Sequence, residues 1–182
     1  MTSFLYENAE LGVRFEIDAD FEPGPSTDAS RRLWPGGNGI PEVRTAYLAR
    51  ADSEGRQAVL SVSYVDPTPA MTPEQLCEQL PIHNHQAAEM AEERGWTILR
   101  RWQATVVGGH MAMRDEYVTP GTHPDDSASS DPNETTASHV LGCVVYHGTR
   151  TYQLLLGVHP PGDLEADRAV FDRAVATLEF LT

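Results

Sequence analysis

Residues 83–89 read His-Asn-His-Gln-Ala-Ala-Glu, and two imidazoles this close to a carboxylate raise the question of a metal. On a helix of ~3.6 residues per turn, His83 and His85 point about 200° apart, so one helix face cannot offer both to one ion. The histidine pair of a zincin stands at i and i+4 with a glutamate base between them. His85 and Glu89 have that spacing, but two ligands do not make a site. The stretch reads as the wet face of a helix. Asp125, Asp126, Asp131 and Glu134 offer oxygens of the kind calcium takes, yet an EF-hand loop needs a central glycine, and DDSASSDPNE has none. That segment reads as a solvated linker, and no metal is expected.

The remaining candidates are aromatic, basic and acidic. Arg100 and Arg101 lie between Trp96 and Trp102. On a strand, Trp96, Ile98, Arg100 and Trp102 share a face, with Arg101 on the other. Such a surface suits an anionic or aromatic partner, or else the tryptophans pack inward under arginine stems. Asp115 and Tyr117 share a strand face with Met111 and Met113, while Arg114 and Glu116 share the opposite face with Ala112. A carboxylate from this strand beside His139 or His147 would give an acid–base pair in a pocket. No nucleophile motif such as G-x-S-x-G accompanies it, and salt bridges along the sheet are the commoner role. Trp34, in a Pro/Gly-rich loop, is either a lid over the core or a recognition anchor. The binding candidates are therefore Trp34, Arg100, Trp102, Asp115 and Tyr117, with no catalytic residue and no cofactor assigned.

Strong periodicities position these residues. Leu11–Ile17 alternates as a half-buried strand. Residues 22–42 read as a loop with a short strand near Arg32–Trp34. Val43–Arg50 and Gln57–Val65 form a hairpin around the polar turn Ala51–Arg56. Thr72-Pro73-Glu74-Gln75 starts a helix with a hydroxyl cap, a proline in its first turn and a glutamine three residues after the cap. Its apolar stripe is Leu76, Leu80, Ala87, Met90 and Ala91, and Arg94-Gly95 ends it. Pro81 predicts a kink or a split. Strands Trp96–Ala104 and His110–Val118 follow, joined by Val107-Gly108-Gly109.

Residues 119–138 are polar and acidic, and a mobile loop is expected there. His139–His147 and Arg150–Val158 form a hairpin around the glycine-first turn Gly148-Thr149, with Cys143 facing Leu154 and Val145 facing Tyr152. Both faces of this pair are apolar, which predicts central strands covered on both sides. Asp163 caps a last helix with Val170, Phe171, Ala174, Val175 and Leu178 at helical spacing.

Composition limits the partners. The chain has 182 residues, enough for one domain with a core. Its net charge is −14, and all 13 basic residues are arginine. A nucleic-acid partner is disfavoured by repulsion, and the missing lysine excludes Schiff-base and P-loop chemistry. An alanine-rich chain with arginine as its sole strong base suggests a GC-rich, bacterial genome. No apolar run approaches the ~20 residues of a membrane span. The N-terminus lacks the features of a secretory signal, so a cytoplasmic location is expected. Cys77 and Cys143 lie far apart in apolar patterns and read as reduced core thiols.

The order of strand, hairpin, helix, two strands, hairpin and helix predicts an α+β fold, a mostly antiparallel β-sheet with helices packed on its faces. The runs "VGGHMAMRDEYVTPG", "HVLGCVVYHGTRTYQLLLGV" and "AVFDRAVATLEFL", after the opening "GVRFEIDADFE", resemble the PsbP-like superfamily, which includes photosystem II PsbP, the Ran-binding Mog family and bacterial LpqN-type proteins. The resemblance spans most of the chain and implies a single PsbP-like α/β sandwich over residues 1–182. It also implies a habit of binding proteins or organising assemblies, with no shared catalytic motif to carry over. This chain differs in having no lipoprotein cysteine near its start and in its acidic segment. The expectation is a non-enzymatic protein-binding or scaffolding domain. The alternative is a small-molecule-binding protein or enzyme with a pocket between sheet and helix.

Overall fold

Alternating apolar and polar residues build most of this chain into antiparallel strands. A computed structural model describes residues 2–23, 42–51, 57–66, 68, 70–120, 137–159 and 163–181. In chain order the elements are β1 (Ser3–Asn8), β2 (Val13–Asp18), β3 (Glu22–Pro23), β4 (Glu42–Ala51), β5 (Gln57–Asp66), α1 (Pro73–Arg94), β6 (Thr97–Val107), β7 (His110–Thr119), β8 (Ser138–His147), β9 (Arg150–His159), α2 (Leu164–Ala176) and β10 (Glu179–Phe180). The main sheet runs β3-β4-β5-β9-β8-β7-β6, and β1-β2-β10 form a small second sheet. The pairings are antiparallel throughout. This is the α+β architecture that the periodicities predict, with β1, β3 and β10 added.

The β8–β9 hairpin lies in the middle of the sheet. Gly148 adopts φ 60°, a left-handed conformation open to glycine at little cost. Cys143 stands opposite Leu154 and Val145 opposite Tyr152, as that turn predicts. Leu141, Cys143, Val145, Tyr152, Leu154 and Leu156 point into one layer and are buried. Phe171, Val175 and Leu178 of the terminal helix region, with Val13, Phe15 and Ile17 of β2, complete the same core cluster. Asp163 caps α2, accepting from the backbone N–H of Glu165 and Ala166.

The other sheet face is only partly covered, which corrects the expectation of cover on both sides. Val140, Val144, Tyr146 and Leu155 are half-buried, and Val59 is exposed. The helix on this side, α1, packs mainly on β6. Its start is as predicted: Thr72 Oγ1 accepts from Gln75 N–H at 3.2 Å, and Gln75 Oε1 accepts from Thr72 N–H at 2.9 Å. Gly95 ends it at φ 68°.

Pro81 does not split α1, which runs unbroken across it. The proline leaves the Cys77 carbonyl without its helical donor. Cys77 and Pro81 both lie on the exposed side, where water can take that carbonyl. Cys77 is therefore not a core thiol, whereas Cys143 is. Leu76 and Ala91 are the buried members of the predicted stripe. Leu80 and Ala87 are half-buried and Met90 is exposed. No helix among the described residues is long and apolar enough to cross a membrane. Trp34, the short strand expected near it, most of the expected Ala51–Arg56 turn, the calcium-type carboxylates and most of the acidic segment (121–136) lie outside the described residues.

Candidate functional site

Asp115 and Glu116 are neighbours on β7, so alternation sends them to opposite faces of the sheet. Glu116 enters the core beneath α2. There His139 Nε2 lies 2.8 Å from Glu116 Oε1, and His139 Nδ1 lies 3.2 Å from Asp167 Oδ2. Arg168 donates to both Glu116 oxygens at 2.8 and 3.0 Å. Burial alone would lower the basicity of His139, but the carboxylates of Asp167 and Glu116 outweigh it and hold the ring above the ordinary histidine range. Burial alone would raise Glu116, but Arg168 and His139 outweigh it and hold the carboxyl low. A protonated ring thus donates to two carboxylates. His139, Glu116 and Asp167 are all essentially inaccessible, so the cluster ties α2 to the sheet and meets no ligand. A carboxylate of β7 does meet His139, as a buried ion cluster of the salt-bridge kind expected along the sheet and not as an acid–base pair in a pocket.

Asp115 has the opposite fate. It points to the half-covered face, where a cleft of about 180 Å³ opens between α1 and the sheet. Ala87 and Met90 of α1 form one wall, and Gln153 and Leu155 of β9 lie on the sheet side. Trp96 stacks on Tyr117 with ring centroids 4.9 Å apart and planes 7° from parallel. Asp115 Oδ1 is buried against Gly142 and has no hydrogen-bond partner among the described residues. Burial raises the Asp115 carboxyl to about 7, against a smaller lowering from its own backbone N–H. Burial, with Asp115 nearby, raises Tyr117 to about 12, so its phenol stays neutral.

Four of the five sequence candidates, Arg100, Trp102, Asp115 and Tyr117, line this one cleft. Alternation does place Trp96, Ile98, Arg100 and Trp102 in a half-buried set, with Thr97, Leu99, Arg101 and Gln103 exposed. Asn84 fastens the helix over them by donating to the Trp102 carbonyl at 3.1 Å. Met90, Gln153, Leu155 and Gly142 were not among the candidates. Gly142 had a readable signal, since a glycine inside an apolar strand marks close approach. It stands opposite Asp115, and a Cβ there would overlap Asp115 Oδ1. The HNHQAAE stretch lies on α1 as a helix surface, with His85 exposed and 3.4 Å from Glu89.

At the far end of β7 and β8, His147 meets His110 rather than a carboxylate, ring edge to face at 4.3 Å, with Phe180 stacked on it. Burial first, then His110 and Arg150, keep His147 below the ordinary histidine range. Among the described residues, no group of three or more His, Cys, Asp or Glu side chains is arranged to hold a metal ion. A carboxyl near 7 suits proton transfer at neutral pH. Among the described residues, no serine, cysteine or histidine lines the cleft beside it. The cleft brings aromatic rings, two arginines and a carboxyl together.

No family model and no curated protein matches the chain. Solved structures do. Cyanobacterial PsbP (CyanoP) from Synechocystis sp. superposes with a TM-score of 0.57 at 10% identity, covering 98% of this chain and 92% of that one. LpqN of Mycobacterium tuberculosis, described as involved in cell envelope biogenesis, gives a TM-score of 0.55 at 12% identity, covering 100% and 91%. Both superpositions take in the two helices and the antiparallel sheet over nearly the full length, and the chain has the PsbP-like fold.

Proposed function

We propose that this chain is a non-enzymatic binding protein of accessory type, and that it takes its ligand in the cleft between α1 and the sheet. One observation carries the reading. Trp96, Trp102, Tyr117, Met90 and Leu155 wall a cleft of about 180 Å³ onto which Arg100, Arg101, Asp115 and Gln153 converge. The aromatic walls and the few convergent polar groups are those of a small-molecule site. LpqN's involvement in cell envelope biogenesis favours an envelope-related role and gives no support to a cytoplasmic location.

A fragment screen followed by backbone amide NMR tests the proposal. Hits should shift Met90, Tyr117 and Gln153 together. Hits that leave these three unmoved and cluster elsewhere would overturn it.

A protein partner is the second reading. Met90 and Ile82 on α1 and Leu99 on β6 are exposed apolar residues at 40%, 57% and 40% of their surface. Met90 both lines the cleft and is exposed, so an apolar side chain of a partner seated there would cover it. Capture of a partner that survives Asp115→Asn but not Met90→Asp with Leu99→Asp would favour this reading over the first.

A further inference from the structure

We infer that the free edge of β6 takes an extended, acidic-tailed peptide of a partner protein as an eighth strand of the seven-stranded sheet. This goes beyond the cleft and does not depend on it. β6 ends the sheet order, with β7 as its sole strand neighbour among the described residues. An edge strand leaves alternate N–H and C=O groups unpaired, and proteins blunt such edges with prolines, charges, bulges or very short strands. The opposite edge is blunted in that way, since β3 is two residues long and ends in Pro23. The first half of β6 is blunted too: its pairing with β7 shifts between Ile98 and Arg100 and again before Gln103. There Asn84 of α1 also donates to the Trp102 carbonyl. Residues 103–107 have none of these protections. They pair with residues 110–114 in unbroken register, and their run Gln-Ala-Thr-Val-Val holds no charge and no proline. Gln103, Ala104 and Val106 are exposed, Val106 at 65%.

Strand addition draws affinity from the backbone and selectivity from the flanking side chains. The flanking charge here is positive. Residues 94–114 hold four of the 13 arginines and no aspartate or glutamate, in a chain of net charge −14. Arg94 lies over the Trp96 ring, and Arg114 meets Asp172. Arg100 and Arg101 have no ion-pair partner among the described residues, and Arg101 is exposed. The acids of β7 do not occupy them: Asp115 turns Oδ1 toward Gly142 on β8, on the side away from β6, and Glu116 is held by Arg168. The pairings of this sheet are antiparallel. An antiparallel guest would lay its first residues against 103–107 and its later ones past Arg101 and Arg100. The segment that fits is therefore a short β-branched run followed by acids. A second copy fits less well. Paired about Thr105, its β6 would bring Gly109 and His110 opposite the two arginines and offer them no acid.

Two peptides blocked at both ends, TVTVEE and TVTVKK, titrated into the full chain test this by amide NMR and hydrogen exchange. TVTVEE should shift and protect amides within residues 103–107. It should bind at least about tenfold tighter than TVTVKK at an ionic strength of about 0.01 M, a ratio that falls toward about 1 M. Arg100→Gln with Arg101→Gln, checked for folding by its melt, should bring the two affinities together. Methylating the backbone nitrogens of both valines of TVTVEE, or of both threonines, removes the donors of one peptide edge at a time. One methylated form should bind and the other should not. Methylated forms that bind alike overturn strand addition, and equal binding of TVTVEE and TVTVKK overturns the acidic partner. Shifts confined to Met90, Tyr117 and Gln153 overturn the edge site and leave the cleft reading standing. No shift within residues 103–107 at about 1 mM TVTVEE overturns the inference outright. A chain that sediments as a dimer with these amides already protected would give the edge to a second copy and overturn it as well.

Discussion

Gly142 and Asp115 face each other across the β7–β8 pair, and Asp115 Oδ1 occupies the space that a side chain at 142 would need. The Asp115 Cγ would lie 3.3 Å from such a Cβ, and Leu155 Cδ2 3.4 Å. Gly142→Ala should therefore cost about 1–3 kcal/mol, the range for overpacking a filled site. The loss comes mainly from Asp115, so Asp115→Ala on that background should recover part of it. Denaturant melts of the two single variants and the double variant give the coupling directly. Additive losses would mean that Asp115 is not held over Gly142.

Asp115→Asn should raise stability at alkaline pH. The folded-state value of about 7 lies above the unfolded value of about 3.9. The native state thus holds the proton more tightly, and its stability falls as pH rises from about 4 through 7. Three units correspond to roughly 4 kcal/mol, and partial solvent contact reduces this to about 2–4. The variant should be more stable than the parent at about pH 8 and nearly equal to it at about pH 4. Urea melts at both pH values decide this, and a variant less stable at pH 8 would show that the carboxylate has a partner in the free protein.

His139→Ala should be among the most damaging single changes. It removes the group between Glu116 and Asp167 and leaves two carboxylates in the core, where breaking a buried pair costs about 3–5 kcal/mol. The sign of the pH dependence follows from each partner. His139 is raised, so its contribution is full below its ordinary 6.5 and is lost as pH climbs through the raised value. Glu116 is lowered, so its contribution is full above its ordinary 4.5 and is lost as pH falls through the lowered value. The gap between parent and variant should be widest between 4.5 and 6.5 and should narrow on either side. Melts from about pH 3 to about pH 9 test this, and a gap that stays flat over the whole span would mean a neutral ring.

Local chemistry made much of this fold readable. The Gly148 turn set the register of the central hairpin, and the Thr72 and Asp163 caps fixed both helix starts, because a few adjacent residues decide each. The small sheet was not readable. β10 is two residues long and pairs Phe180 with Val13, a contact whose pattern is too short to register in sequence. In the site, alternation found the half-buried side of β6 and the Asp115–Tyr117 face. It could not bring them together, since β6 shifts register between Ile98 and Arg100 and again before Gln103, and such bulges re-aim side chains. Met90 fitted a helical stripe and so read as core, but the face that α1 covers is too narrow to bury it. The fate of Asp115 depended on burial and on the glycine across from it, both tertiary facts.

The core layer and the histidine surface of α1 should differ sharply in their tolerance of change. Leu154 and Phe171 have no solvent-accessible surface and belong to one cluster joining β9 to α2. Truncation to alanine costs about 2–5 kcal/mol for a buried leucine and about 3–5 for a phenylalanine. A domain's whole stability is only ~5–15 kcal/mol. Leu154→Ala with Phe171→Ala should therefore leave little folded protein, even if the two losses share a cavity and fall short of their sum. His85 is exposed, and its contact with Glu89 is a surface pair worth less than about 1 kcal/mol. His83 is half-buried on the same helix and takes part in no ion pair among the described residues. His83→Ala with His85→Ala should cost about 0.5 kcal/mol or less. Parallel guanidinium melts of the two double variants compare them directly. A larger loss from the histidine pair would mean that α1 turns a different face to the sheet, and with it that the cleft wall formed by Ala87 and Met90 is misplaced.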